Sequence, residues 1–206
     1  STAIEFFREF PTATEAITHL EKITQDSIEA GHTPNTGELM AALTASDPER
    51  AVALVEAMLD SESDTRIAAI WQQVLYGLTS RTATVWRLLS QAAEHQRTDI
   101  RRGVIDYFRF RNRSEMSLNS AERTLLEKMA IKAGPDEIMG FVVLVQWVAE
   151  NCAEWGFELL GSLPLDQLPP AKHGEVLAAL NPYHAKTPPP SLSVVKHVLD
   201  ALVEIP

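Results

Sequence analysis

The sequence predicts an all-α fold, a right-handed α-solenoid of about four to five antiparallel helix pairs spanning residues 1–206 as a single helical-repeat domain. Three observations lead there. Apolar residues recur at spacings of three and four along most of the chain, the period of a helix with one buried face. Pro11, Pro34, Pro48, Pro135, Pro164, Pro169, Pro182 and the Pro188–Pro190 run fall between these segments and interrupt none of them. Paired apolar residues and helix-opening polar residues then return at a nearly constant interval, the signature of a repeat architecture.

Taken in order, the periodic segments are 3–10, 12–30, 36–45, 48–60, 64–77, 82–95, 99–110, 120–133, 136–150, 153–162, 170–180 and 191–204. Thr12 with Glu15, and Asn35 with Glu38, have the spacing of a capping box, in which an N-cap side chain and the residue three positions on satisfy each other's backbone N–H groups. In "DPER", Asp47 can cap while Pro48 takes the first helical position, where a missing N–H costs nothing. The β-leaning run "FVVLVQWV" sits inside a segment of about fifteen residues opened by Asp136, longer than a typical strand, and is expected to be helical. Residues 181–190, "NPYHAKTPPP", read as a stiff Pro-rich connector before the last helix.

The interval is about 34 to 37 residues. Leu54-Val55, Leu88-Leu89, Leu125-Leu126 and Leu159-Leu160 are separated by 34, 37 and 34 residues, and Asp64, Asp99, Asp136 and His173 by 35, 37 and 37. A two-helix unit of this kind leaves one face too apolar to expose, so neighbouring units must stack to bury it.

The stretch "LDSESDTRIAAIWQQVL", residues 59–75, resembles a HEAT-like repeat: Asp64 stands for the acid of the inter-helix turn, Arg66 for the basic residue after it, and Ala68 and Ala69 for the small residues of the second helix. "RTDIRRGVI" resembles it through Asp99, Ile100, Arg101 and Gly103. The later units depart from the pattern, because Asp136 is followed by no arginine and His173 replaces the acid. A tetratricopeptide assignment has a similar period, but "VWRLLSQA" lacks the glycine and closely packed alanine it needs. The resemblance implies a scaffold or recognition surface rather than an enzyme, and it implies that Arg101 is held in an Asp/Arg ladder between repeats.

Composition narrows the function classes. With 28 acidic against 18 basic residues and a net charge of −10, the chain is poorly suited to a duplex-binding surface, since phosphate neutralisation supplies most non-specific affinity for nucleic acid. The single Cys152 cannot form an internal disulfide and suits a reducing, cytoplasmic setting. "IMGFVVLVQWVA" is far short of the roughly 20 residues of a membrane span and reads as a buried core helix. The start at Ser1 without a leader pattern, and the ending "ALVEIP", lead us to expect a fragment of a larger protein.

No pattern points to catalysis, a cofactor or a metal. Asp60, Glu62 and Asp64 begin like a calcium loop, but Thr65 and Trp71 occupy the positions of the sharp-turn glycine and the bidentate acid. The six histidines have no ligand spacing, and no nucleophile elbow or phosphate-cradling glycine loop occurs. Trp71, Trp86, Trp147 and Trp155 are expected to be core or inter-repeat packing rather than a base-stacking set.

One segment opposes the acidic trend. "QRTDIRRGVIDYFRFRNR", residues 96–113, holds six arginines and two aspartates. On a helix, Arg102, Asp106, Arg109 and Arg113 share a face, Ile100, Val104 and Phe108 point to the core, and Arg97, Arg111 and Arg113 are left uncommitted by spacing alone. The plain reading is a solvated helix face with arginines suited to the C-terminal end of the dipole. The functional reading makes Arg97, Arg102, Arg109, Arg111 and Arg113 candidates for binding an acidic protein surface, with nucleic acid disfavoured because Asp106 interrupts the stripe. The expected function is therefore a non-catalytic protein-interaction or scaffold module. The alternatives are a nucleic-acid-binding or DNA-repair-like HEAT-type protein, and a regulatory or sensing region of a larger nucleotide-dependent protein.

Overall fold

The computed structural model describes residues 3–33, 36–60, 71, 75, 78, 81–112, 117–181 and 189–203. Every regular element among the described residues is helical, as the apolar period predicts. The chain divides into two compact units, Ser1–Tyr107 and Phe108–Pro206.

The first unit contains α1 (Ala3–Glu9), α2 (Ala13–Glu29), α3 (Gly37–Ser46), α4 (Pro48–Leu59), α5 (Ala83–Ala93) and the greater part of α6 (Thr98–Asn112). Each boundary has a local cause. The Thr12 hydroxyl accepts from the Glu15 N–H at 3.2 Å, and the Glu15 carboxylate accepts from the Thr12 N–H at 3.1 Å, completing the capping box. Gly31, at φ +74°, ends α2 in the left-handed conformation that a side chain resists. Asp47 caps α4 by accepting from the Arg50 N–H at 3.1 Å, with Pro48 at the first position. Thr82 does the same for α5, accepting from Val85 N–H at 3.2 Å. Asn35 and most of 64–77 lie outside the described residues.

Helix α4 is the centre of this unit: α2, α3 and α5 pack against it, and it buries Val52, Leu54, Val55 and Met58. Polar ties hold its two ends. The Arg50 guanidinium donates to the carbonyls of Phe7 and Pro11 at the α1–α2 turn, at 3.0 and 2.5 Å. At the other end His95 bonds the Leu59 carbonyl at 3.0 Å.

Helix α6 packs closely against Trp71, Leu75 and Leu78. Trp71 is fully buried, and its indole N–H donates to the Ile100 carbonyl at 3.1 Å; the Tyr107 hydroxyl donates to the Leu78 carbonyl at 2.8 Å. A Cβ on Gly103 would stand 2.5 Å from Trp71 Nε1, so only glycine admits the ring here.

The second unit contains the end of α6, then α7 (Ser120–Ile131), α8 (Pro135–Ser162), α9 (His173–Ala179) and α10 (Leu192–Val203), with 3₁₀ turns at Leu165–Gln167 and Pro170–Lys172. Asn119 and Glu122 form a second capping box, with both bonds at 2.9 Å. Helices α7, α9 and α10 pack on α8, which buries Ile138, Phe141, Leu144, Val145, Val148, Leu159 and Leu160.

Helix α8 is one run in name only. Cys152 leaves helical geometry at φ −145°, ψ 38°. Residues 145 and 156 of an unbroken helix stand about 16 Å apart along its axis, yet a Cβ on Gly156 would lie 3.6 Å from Val145 and 3.3 Å from Val148. The chain therefore folds back at Cys152, and the segments 136–150 and 153–162 read from the sequence are two helices packed on each other. The run "FVVLVQWV" is helical. Residues 170–180 begin as a 3₁₀ turn and become α-helical at His173.

Of the tryptophans, Trp71 and Trp155 are buried as expected, whereas Trp147 is 41% exposed and is not core. Its neighbours Val145 and Val148 take the inward positions of the turn, leaving position 147 on the outer face of the helix.

Candidate functional site

The arginine segment runs from the α5–α6 turn through α6. The turn is tied together by side chains. The Arg97 guanidinium grips both Asp99 carboxylate oxygens, at 3.0 and 2.7 Å, and the Arg97 N–H donates to His95 Nδ1 at 3.1 Å. With Nδ1 accepting, the His95 proton is on Nε2, which donates to Leu59. Arg101 donates to the carbonyls of His95 and Gln96 at 2.7 and 2.9 Å, and to the Thr98 hydroxyl at 3.3 Å. Arg101 thus holds a structural place by binding carbonyls of the α5–α6 turn that precedes its own helix. The Arg97 hydrogen bonds are the main reason the Asp99 carboxyl is held below the usual carboxylate range, against the opposing effect of its partial burial.

Farther along, Arg102 pairs with Asp106 at 3.4 Å, and Asp106 is buried, so this part of the face is not a solvated one. Ile100, Val104 and Phe108 are fully buried, as their spacing predicts. The Arg109 guanidinium lies 4.3 Å from the Phe110 ring centroid. Arg111 differs most from expectation. Its guanidinium meets the Glu122 carboxylate at 2.6 Å with both side chains only 3% exposed, and it lies 5.1 Å from the Phe108 ring centroid. Neither Arg97 nor Arg111 is uncommitted. Helix spacing could not show this, because the partner of Arg111 comes from the N-terminal turn of α7. Arg113 lies outside the described residues.

Arg97 and Arg102 belong to the first unit, Arg109 and Arg111 to the second. An incoming carboxylate or phosphate would have to displace the Asp99 or Asp106 carboxylate to reach Arg97 or Arg102, and Arg109 is stacked on Phe110.

A cluster not anticipated from the sequence lies between α7 and the second half of α8. Arg123 donates to Cys152 Sγ at 3.1 Å and to the Leu118 carbonyl at 3.3 Å, with its guanidinium 5.7 Å from the Trp155 ring centroid. The Trp155 indole N–H donates to the Glu127 carboxylate at 2.7 Å. Arg123 and Glu127, four apart on α7, face Cys152 and Trp155, three apart across the break in α8. The spacing is visible in the sequence, but the pairing of the two helices is not. The buried thiol here fills and closes the fold-back.

Asp60, the first residue of the calcium-loop-like stretch, ends α4; Glu62 and Asp64 lie outside the described residues. Among the described residues no three His, Cys, Asp or Glu side chains come together as a metal site, and no helix is long and apolar enough to cross a membrane. Comparison with protein-family models, with curated proteins and with solved structures finds no significant match for this chain.

Proposed function

We propose that this chain is a non-catalytic protein-interaction or scaffold module built from HEAT-like helix pairs. The repeat reading is supported by the burial of Leu54, Val55, Leu88, Leu89, Leu126, Leu159 and Leu160 at the interval set out above, Leu125 being the one marker that is only half-buried. The interaction reading rests on Trp147, whose large indole is 41% exposed on the outer face of a helix that is otherwise deeply packed. Tryptophan is enriched among the residues that dominate binding energy at protein interfaces, and a scaffold that needed it only for packing would turn it inward. In this reading Arg109, half-buried beside Phe110, adds a steering charge toward an acidic partner, while Arg97, Arg102 and Arg111 serve acids of this chain.

Affinity capture from a native extract, at physiological salt, tests the reading. The wild-type chain is expected to retain a protein partner that Trp147→Ala loses and Arg109→Glu weakens, with circular dichroism unchanged in both variants. Salt-sensitive binding of random-sequence DNA at that ionic strength, with no protein retained, would replace it by the nucleic-acid reading.

A further inference from the structure

The terminal helix α10 buries only part of its apolar surface. Val198 and Leu202 are packed against the second unit, while Leu192, Leu199 and Val203 are 88%, 41% and 76% exposed. At about 100° per residue these three fall within about 40° of one another around the axis, so they form a single stripe beside the buried face. Lys196 and Asp200 are exposed along the far margin of that stripe, one turn apart, and neither makes an ion pair among the described residues. Their order, base before acid, is the less favourable one for pairing within a helix.

We propose that α10 is a homodimerisation surface, on which a second copy of this chain packs its own α10 antiparallel about a two-fold axis. The stripe and its charged margin are self-complementary in that arrangement alone. Leu192 meets the partner's Val203, Leu199 meets the partner's Leu199, and Lys196 meets the partner's Asp200, with each contact repeated by symmetry. The midpoints of these pairings fall between residues 197 and 199 and agree to about one and a half residues, or about 2 Å of helix rise. A two-fold axis lying across the helix keeps the charged margin of one copy on the same side as that of the other, so each lysine finds an aspartate. A parallel pair would set the charged margin of one copy against the Val195 side of the other and leave all four charges without partners. One helix face is a small interface, so the dimer is weak and concentration-dependent. This inference is independent of the heterologous binding assigned to Trp147.

Sedimentation equilibrium of the full 206-residue chain, up to several hundred micromolar, tests it. The expected result is a reversible monomer–dimer equilibrium in the micromolar range. Leu199→Asp places two carboxylates face to face at the axis and abolishes the dimer with an unchanged circular dichroism spectrum and a modest loss of Tm, because Leu199 is partly packed at 41% exposure; Leu192→Asp, at 88% exposure, weakens the dimer with Tm at the wild-type value. Lys196→Glu and Asp200→Lys each oppose like charges twice and weaken the dimer about tenfold; the double variant K196E/D200K restores it. A monomer at every concentration, a dimer indifferent to Leu199→Asp, or failure of the double variant to recover would each overturn the proposal.

Discussion

Replacing Gly103 by alanine adds one methyl group at the closest approach in the first unit. On an open helix the change stabilises by roughly 0.5–1 kcal/mol, because alanine loses less backbone entropy. Here the new carbon would stand 2.5 Å from Trp71 Nε1, 3.0 Å from its Cδ1 and 3.3 Å from Leu75 Cδ1. Carbon contacts are comfortable only near 3.5–4.0 Å, so the ring must retreat by about 1 Å. Trp71 is fully buried, leaving no space to retreat into, and overpacking of this kind costs about 1–3 kcal/mol. Retreat also breaks the bond from the indole to the Ile100 carbonyl, and an orphaned buried donor costs about 1–3 kcal/mol more. After the helix gain is subtracted, the net loss is about 1–5 kcal/mol, centred near 3 kcal/mol, or roughly 5–15 °C in Tm at that centre for a chain of this size. Urea titration followed by far-UV circular dichroism measures it. Gly174→Ala is the control, since a Cβ there meets nothing within 4 Å, and its effect is expected to stay within about 0.5 kcal/mol. A Gly103→Ala variant as stable as the wild type, or more stable, would refute the packing argument.

Leu89→Ala and Leu126→Ala, at equivalent positions of two helix pairs, are each expected to cost about 2–5 kcal/mol in the same titration, as both side chains are buried. Arg111→Ala removes the buried cation beside the Glu122 carboxylate and is expected to cost about 3–5 kcal/mol, whereas Arg111→Met with Glu122→Gln, which keeps an acceptor for the Asn119 N–H, recovers part of that loss; measured stabilities of both variants decide the point. The folded pKa of Asp99 is depressed by Arg97, so its contribution to stability is fully present above the unfolded value of about 3.9 and is lost as pH falls through the lower folded value. Thermal melts between pH 2 and 6 should therefore be less steeply pH-dependent in Asp99→Asn than in the wild type.

Helix positions were legible because their determinants are local. Thr12 with Glu15, Asp47 with Pro48, and the prolines between segments act within one turn of chain, and the described boundaries follow them to within about two residues. The inward faces were legible for the same reason: Ile100, Val104 and Phe108 are placed by the helical period, and all three are buried. The candidate site was less so. Periodicity assigns a residue to a face but not the face to a neighbour, and Arg111 was misread because Glu122, eleven residues on, reaches it only after α7 has folded onto the end of α6. Trp147 is 41% exposed, and a helix that is apolar on nearly every side carries no internal signal of which residue stays open to solvent.

By itself, the sequence determined the all-helical class, the helix limits, the break between residues 150 and 153 and the apolar stripe of each helix, all consequences of interactions between residues a few positions apart. The tertiary structure alone decided that Gly103 must lack a side chain to admit Trp71, that Arg123 and Glu127 close over Cys152 and Trp155, and that Leu192, Leu199 and Val203 of α10 stay exposed. Those outcomes depend on which helix faces meet, a choice made by long-range packing of shapes and charges that no local period encodes.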